Sequence, residues 1–208
     1  MSNTKSGALV IKQSPITFKQ VLPSALAILF FGCGSFYFYP SWTWFGQLGA
    51  SAILFGCGLG LFLYGVAYVL TCTPRFMSKD MRQILATLNA MFARFSWSQI
   101  VLISILAGVG EEMLLRALIQ TWLHHHLHPV FAILIASLIF GLLHYMNFTY
   151  VVVTFVGGII LGVAFYLSGS LILVMVAHAV YDICAFTLIV KFPHMLGINS
   201  NDEFSDTR

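Results

Sequence analysis

The sequence predicts an all-α fold, a multi-pass bundle of about six transmembrane helices with one interfacial amphipathic helix. Three observations lead there. Hydrophobic residues make up 59% of the 208 positions, charged residues only 8%, and apolar runs of about 20 residues follow one another with short connections. A soluble domain carries about a quarter charged residues, so lipid rather than water is expected to cover most of this chain. The 10 basic and 7 acidic residues leave a net charge of only +3, and they are scattered, which excludes a nucleic-acid partner. Membrane lipids are the first expected partners.

In chain order, residues 1–20 are expected to form a polar N-terminal segment carrying Lys5, Lys12 and Lys19. The apolar run at 21–39 lacks a small-residue cleavage site and is expected to remain as an anchor. A second span is predicted at 48–72. From 78 to 95, Met81, Ile84, Leu85, Leu88, Met91, Phe92 and Phe95 recur at helical spacing opposite Lys79, Arg82 and Arg94, the pattern of an amphipathic helix lying on a membrane surface as a connector. Residues 21–97 thus form one unit. Four further spans, at 99–123, 130–147, 150–167 and 171–190, lie within a helical core at 98–192, and a polar tail follows at 193–208.

Six spans put both termini on one side. The early lysines, with Arg75, Lys79, Arg82 and Arg94, contrast with the uncharged stretch 40–47, so that side is expected to be the cytoplasm. Trp42, Trp44 and Trp122 then fall at the outer interface and Trp97 at the inner one. Cys33, Cys57, Cys72 and Cys184 show no paired or metal-ligand spacing and read as small buried hydrophobes. Gly56/Gly60 and Gly158/Gly162 have the spacing that lets helices approach closely.

Only Glu111, Glu112, Arg116 and Asp182 place a formal charge well inside a predicted span. Each costs about 2.5–3.5 kcal/mol even on lenient insertion scales, and such residues usually mark function. At about 100° per residue, Glu112 and Arg116 share a face and can pair, while Glu111 points about 100° away. His178 shares a face with Asp182, and Phe140 with His144. A carboxylate beside an imidazole can activate water for attack on a carbonyl, and a second imidazole can stabilise the oxyanion. Alternatively Glu111, His144 and His178 hold a divalent metal such as zinc with an open position for water. Straight helices put Glu111 and His178 at similar depth and His144 nearly 10 Å deeper, at about 1.5 Å per residue. The run from His124 to His128 is read as an interfacial loop outside the site.

Glu111-Glu112-x-x-x-Arg116, Phe140-x-x-x-His144 and His178-x-x-x-Asp182 resemble the three ordered motifs of the CPBP family, the CAAX-prenyl-protease and bacteriocin-processing proteins, also called the Abi family. The resemblance covers 98–192. It implies an intramembrane endopeptidase, of metallo or glutamate type, in which Glu111 and His144 activate water. Glu112 and Arg116 give support, and His178 holds the oxyanion with help from position 182. Many members carry Asn there, and Asp182 departs from that pattern. The chain's compactness is similar to bacterial members, which implies a bacterial inner membrane and, as substrate, a lipid-modified protein or a bacteriocin precursor. The charges alone leave two other readings open, a proton-coupled transporter or channel and an inert membrane scaffold.

Overall fold

A computed structural model describes residues 15–38, 46–73 and 77–198. The readings of Lys5, Lys12, Trp42, Trp44, Arg75 and the tail beyond 198 lie outside these residues. Among the described residues no strand occurs, and the elements are helices throughout. They are α1 (Phe18–Phe38), α2 (Ser51–Cys72), α3 (Lys79–Phe92), α4 (Trp97–Glu112), a π segment (Met113–Gln120), α5 (Thr121–His126), α6 (Pro129–Leu143), α7 (Phe148–Ser168) and α8 (Leu171–Lys191), with short 3-10 turns at Gly46–Leu48 and Pro193–Leu196. Among the described residues α1, α2, α7 and α8 are long and apolar enough to cross a membrane, and the chain is an integral membrane protein.

Local chemistry sets the ends of these helices. Ser96 and Gln99 form a reciprocal capping box that starts α4, satisfying amides that have no partner inside the helix. The helix then runs unbroken from Trp97 through the π segment to His126, and Trp97 and Trp122 are exposed near its two ends. Pro129 opens α6, where its missing N–H costs nothing. Asn147 caps α7 through the amide of Tyr150 at 2.9 Å, and Gly169, at φ +61°, ends it in the left-handed conformation. Ser170 caps α8.

Two of the expected spans end differently. The fourth stops at Leu143 rather than 147, so α6 has 15 residues and a length of about 22 Å, less than the bilayer's apolar core. The third becomes a π helix midway, just after the two glutamates. Both irregularities fall where the charges are.

Helix α8 is the axis of the bundle. It packs along α2 on one side and α4 on the other, while α1 lies against α4 and the π segment. Glycine makes the α8 contacts close: a methyl group on Gly60 would stand 2.5 Å from the carbonyl of Ala177, and one on Gly108 would stand 2.7 Å from the amide of Ala179. Helices α6 and α7 form a hairpin that packs on itself, with further contacts from α7 to α8 and α3 and from α6 to the π segment.

Helix α3 is the expected amphipathic helix between the second and third spans, and its Ile84, Leu85 and Leu88 are buried against Leu188, Ile189 and Leu196. Asn89 Nδ2 donates to the carbonyl of Ile189 at 2.7 Å, and Thr149 Oγ1 donates to Asp80 Oδ2 at 3.3 Å. Helix α3 thereby fastens the ends of α7 and α8 together.

A test of the α2–α8 contact is Gly60→Ala against Gly58→Ala, whose added methyl meets nothing within 4 Å. In thermal unfolding in detergent, Gly60→Ala should lose about 1–3 kcal/mol through overpacking, and Gly58→Ala should lose nothing.

Candidate active site

Glu112 and Arg116 are fully buried, with Arg116 Nε donating to Glu112 Oε2 at 2.9 Å. The i, i+4 pairing survives although the pair straddles the start of the π segment. The wider turn shows at its far end, where Thr121 Oγ1 donates to the carbonyl of Arg116 at 2.9 Å, five residues back. Single π turns inside α-helices frequently mark functional sites.

The other oxygen of Glu112, Oε1, lies 2.9 Å from His178 Nδ1. An ionised carboxylate only accepts, so Nδ1 carries the proton and His178 Nε2 faces the opposite way. There it lies 3.6 Å from Asp182 Oδ2 and 3.9 Å from Glu111 Oε2. One buried carboxylate therefore neutralises a guanidinium on its own helix and orients an imidazole on the next.

His144 is positioned by the end of α6. It is the C-cap residue, and its Nδ1 is 2.9 Å from the carbonyl oxygen of Phe140. A carbonyl cannot donate, so Nδ1 is the protonated nitrogen and Nε2 is left as an acceptor. That acceptor lies 3.7 Å from Glu111 Oε2. The expected mismatch in depth is thus overturned: the ring folds back over its own last turn, which returns it by up to about 6 Å along the helix axis.

Glu111 sits between the two rings. Its Oε2 is buried and, among the described residues, has no hydrogen-bond partner. Separations of 3.7 and 3.9 Å are too long for direct hydrogen bonds and suit a bridging water or substrate atom. Side-chain exposure rises from 0% at Glu112 and Arg116 to 7% at His178, 16% at Glu111 and Asp182, and 30% at His144. The group therefore has a dry, ion-paired base and a wetter edge at His144.

Phe140 is buried between these groups. Its ring lies 4.5 Å from that of His144, stands perpendicular to that of His178 at 5.8 Å, and has the Arg116 guanidinium 5.9 Å from its centre. It spaces the two imidazoles. Two residues absent from the sequence reading join the site. Gln120 is buried, accepts from Arg116 Nη1 at 3.4 Å and donates to the carbonyl of Gly162 at 3.0 Å; its position four residues after Arg116 was the available cue. Tyr150 brings its ring to 6.5 Å from that of His144, and nothing in its spacing announced it.

Among the described residues no group of three His, Cys, Asp or Glu side chains is placed to hold a metal ion. The Nδ1 of each central histidine is committed to a protein oxygen, which leaves the two Nε2 atoms turned toward Glu111. Elsewhere, the ring of His124 packs on Tyr166, that of His126 on Trp122, and His128 Nδ1 accepts from the amide of Val130 at 3.4 Å.

Residues 93–184 match the family of Rce1-like proteins, described as type II CAAX prenyl endopeptidases. The match contains all three motifs and ends two residues after Asp182. No curated protein and no solved structure matches the chain.

Arg116→Ala would leave Glu112 buried without its cation. Thermal unfolding in detergent should show a loss of about 3–5 kcal/mol, the range for breaking a buried ion pair from one side.

Proposed function

We propose that this chain, whose residues 93–184 belong to the CAAX-protease family, is an intramembrane endopeptidase that hydrolyses a peptide bond of a membrane-associated protein or peptide. The observation that carries this reading is the convergence of Glu111, His144 and His178 from three separate helices to within 3.9 Å of one carboxylate oxygen. Such groups are costly in a bilayer interior, and gathering them around one orphaned acceptor suits a site that handles water.

In this mechanism a water lodges beside Glu111 Oε2 and His144 Nε2. As its oxygen attacks the carbonyl carbon, its proton passes to Glu111, with His144 Nε2 sharing the second hydrogen. The C–O π pair moves onto the carbonyl oxygen, and His178, as the imidazolium with both nitrogens protonated, donates to that oxygen from Nε2. Glu112, accepting from Nδ1, keeps the ring turned towards it. The carboxylate of Asp182, 3.6 Å from Nε2, balances the ring's positive charge when both nitrogens are protonated. When the C–N bond breaks, the proton on Glu111 passes to the departing nitrogen. Arg116 and Phe140 support these groups without touching the substrate.

The chain's membrane is proposed to be a bacterial inner membrane, with both termini on the cytoplasmic side. Substrates would then be lipid-modified proteins or bacteriocin precursors held in that membrane. No metal takes part in the steps above.

The test uses the full chain in liposomes with a library of membrane-anchored peptides and mass spectrometry of the products. Glu111→Gln, His144→Ala and His178→Ala should each lose at least about 100-fold in cleavage rate, with the unfolding temperature unchanged in the first two and lowered in His178→Ala, which also removes the bond to Glu112. Turnover by Glu111→Gln at the original rate would contradict the reading. Cleavage should persist in a chelator; loss restored by added zinc would replace the proposed water activation with metal chemistry.

A further inference from the structure

The polar groups around Glu111 are mostly acceptors. Glu111 and Asp182 bring carboxylate oxygens, and His144 presents Nε2 as an acceptor because Nδ1 donates to the carbonyl of Phe140. An oxygen gaining negative charge here would find one side-chain donor from the motifs, His178 Nε2. Glu111 on one side and Asp182 on the other would repel it. A hydrolytic centre of this composition needs a second donor.

Tyr150 is placed to be that donor. It lies in the first turn of α7, and its backbone is fixed there by the hydrogen bond from its amide to Asn147 Oδ1 at 2.9 Å. Its ring packs against the cluster of Ile84, Leu85, Leu188 and Ile189, so α3 and α8 hold it from behind. On the other side the ring stands 6.5 Å from that of His144, and the phenol is within electrostatic reach of Glu111, Asp182 and Tyr181. Among the described residues its hydroxyl has no hydrogen-bond partner. The α6–α7 hairpin therefore carries both an acceptor, His144 Nε2, which lies 3.7 Å from Glu111 Oε2, and a donor, the phenol of Tyr150, whose ring is beside that of His144.

We infer that Tyr150 is a catalytic residue of this site, donating its phenolic O–H to the carbonyl oxygen of the scissile peptide as that oxygen becomes an anion. This rests on the endopeptidase reading and adds a residue to it. The electron balance is that of the steps above: a bond forms from water oxygen to carbonyl carbon, the π pair moves onto the carbonyl oxygen, and the water proton goes to Glu111. Tyr150 keeps its proton throughout and only shares it with the anion. The oxyanion then lies between His178 Nε2 on α8 and Tyr150 on α7, so that two helices hold one substrate atom.

The experiment compares Tyr150→Phe with the unmutated chain in liposomes, using one peptide that the unmutated chain cleaves. A second probe is the same peptide with its scissile amide replaced by a phosphinate, whose anionic oxygen stands in for the oxyanion. Removing one such donor should lower kcat by about 100–1,000-fold, leave KM and the unfolding temperature unchanged, and weaken phosphinate binding by a similar factor. Unchanged kcat and unchanged phosphinate binding in Tyr150→Phe would overturn the inference while leaving the endopeptidase reading intact. A fall in kcat accompanied by a lowered unfolding temperature, with phosphinate binding unaltered, would overturn it in favour of a packing role. If the unmutated chain cleaved no peptide in the library, the endopeptidase reading would fail and this inference with it.

Discussion

The carboxylate of Glu112 is the interaction on which the rest of the site depends. In a bundle surrounded by lipid it holds Arg116 with one oxygen and His178 with the other, both at 2.9 Å, with the carboxylate and guanidinium fully buried. Without Arg116 the carboxylate would be an uncompensated buried charge, and without the carboxylate His178 would be free to rotate. The bond between Glu112 and His178 crosses from α4 to α8, and Gly108 permits the backbone approach that makes it reachable. One residue therefore joins helix packing to the orientation of a reactive ring.

The functional groups are placed by irregularities rather than by ideal helices. The α-helical hydrogen bonding gives way to π hydrogen bonding just after the adjacent glutamates. His144 stands at a helix end, where the carbonyl of Phe140 fixes its tautomer. Glu111, His178 and Asp182 are carried by α4 and α8, whereas His144 and Tyr150 are carried by the end of α6 and the start of α7. Helix α3, its apolar face buried against the ends of α8 and the start of α7, ties these elements together.

Much of this was legible in the sequence for a simple reason. Apolar runs of bilayer length and a handful of charges inside them are strong signals, because lipid penalises every exception. The pairing of Glu112 with Arg116 follows from a four-residue spacing that a π turn happens not to break. What could not be read was the link from Glu112 to His178, since it joins residues 66 positions apart and depends on two helices meeting at a glycine. The height of the His144 ring was also hidden, because straight-helix geometry places Cα atoms and says little about a side chain that folds back over a helix end. Tyr150 lay in plain view as one aromatic residue among many in an apolar span, with no charge to single it out.

The most direct measurement of the central claim, that Glu111 activates water rather than attacking the peptide itself, is a single turnover in water labelled with oxygen-18. The account predicts one labelled oxygen in the new carboxyl terminus of the product and none in the side chain of Glu111. Label in the Glu111 carboxylate would mean that a covalent bond to the enzyme had formed and been hydrolysed, and would contradict it.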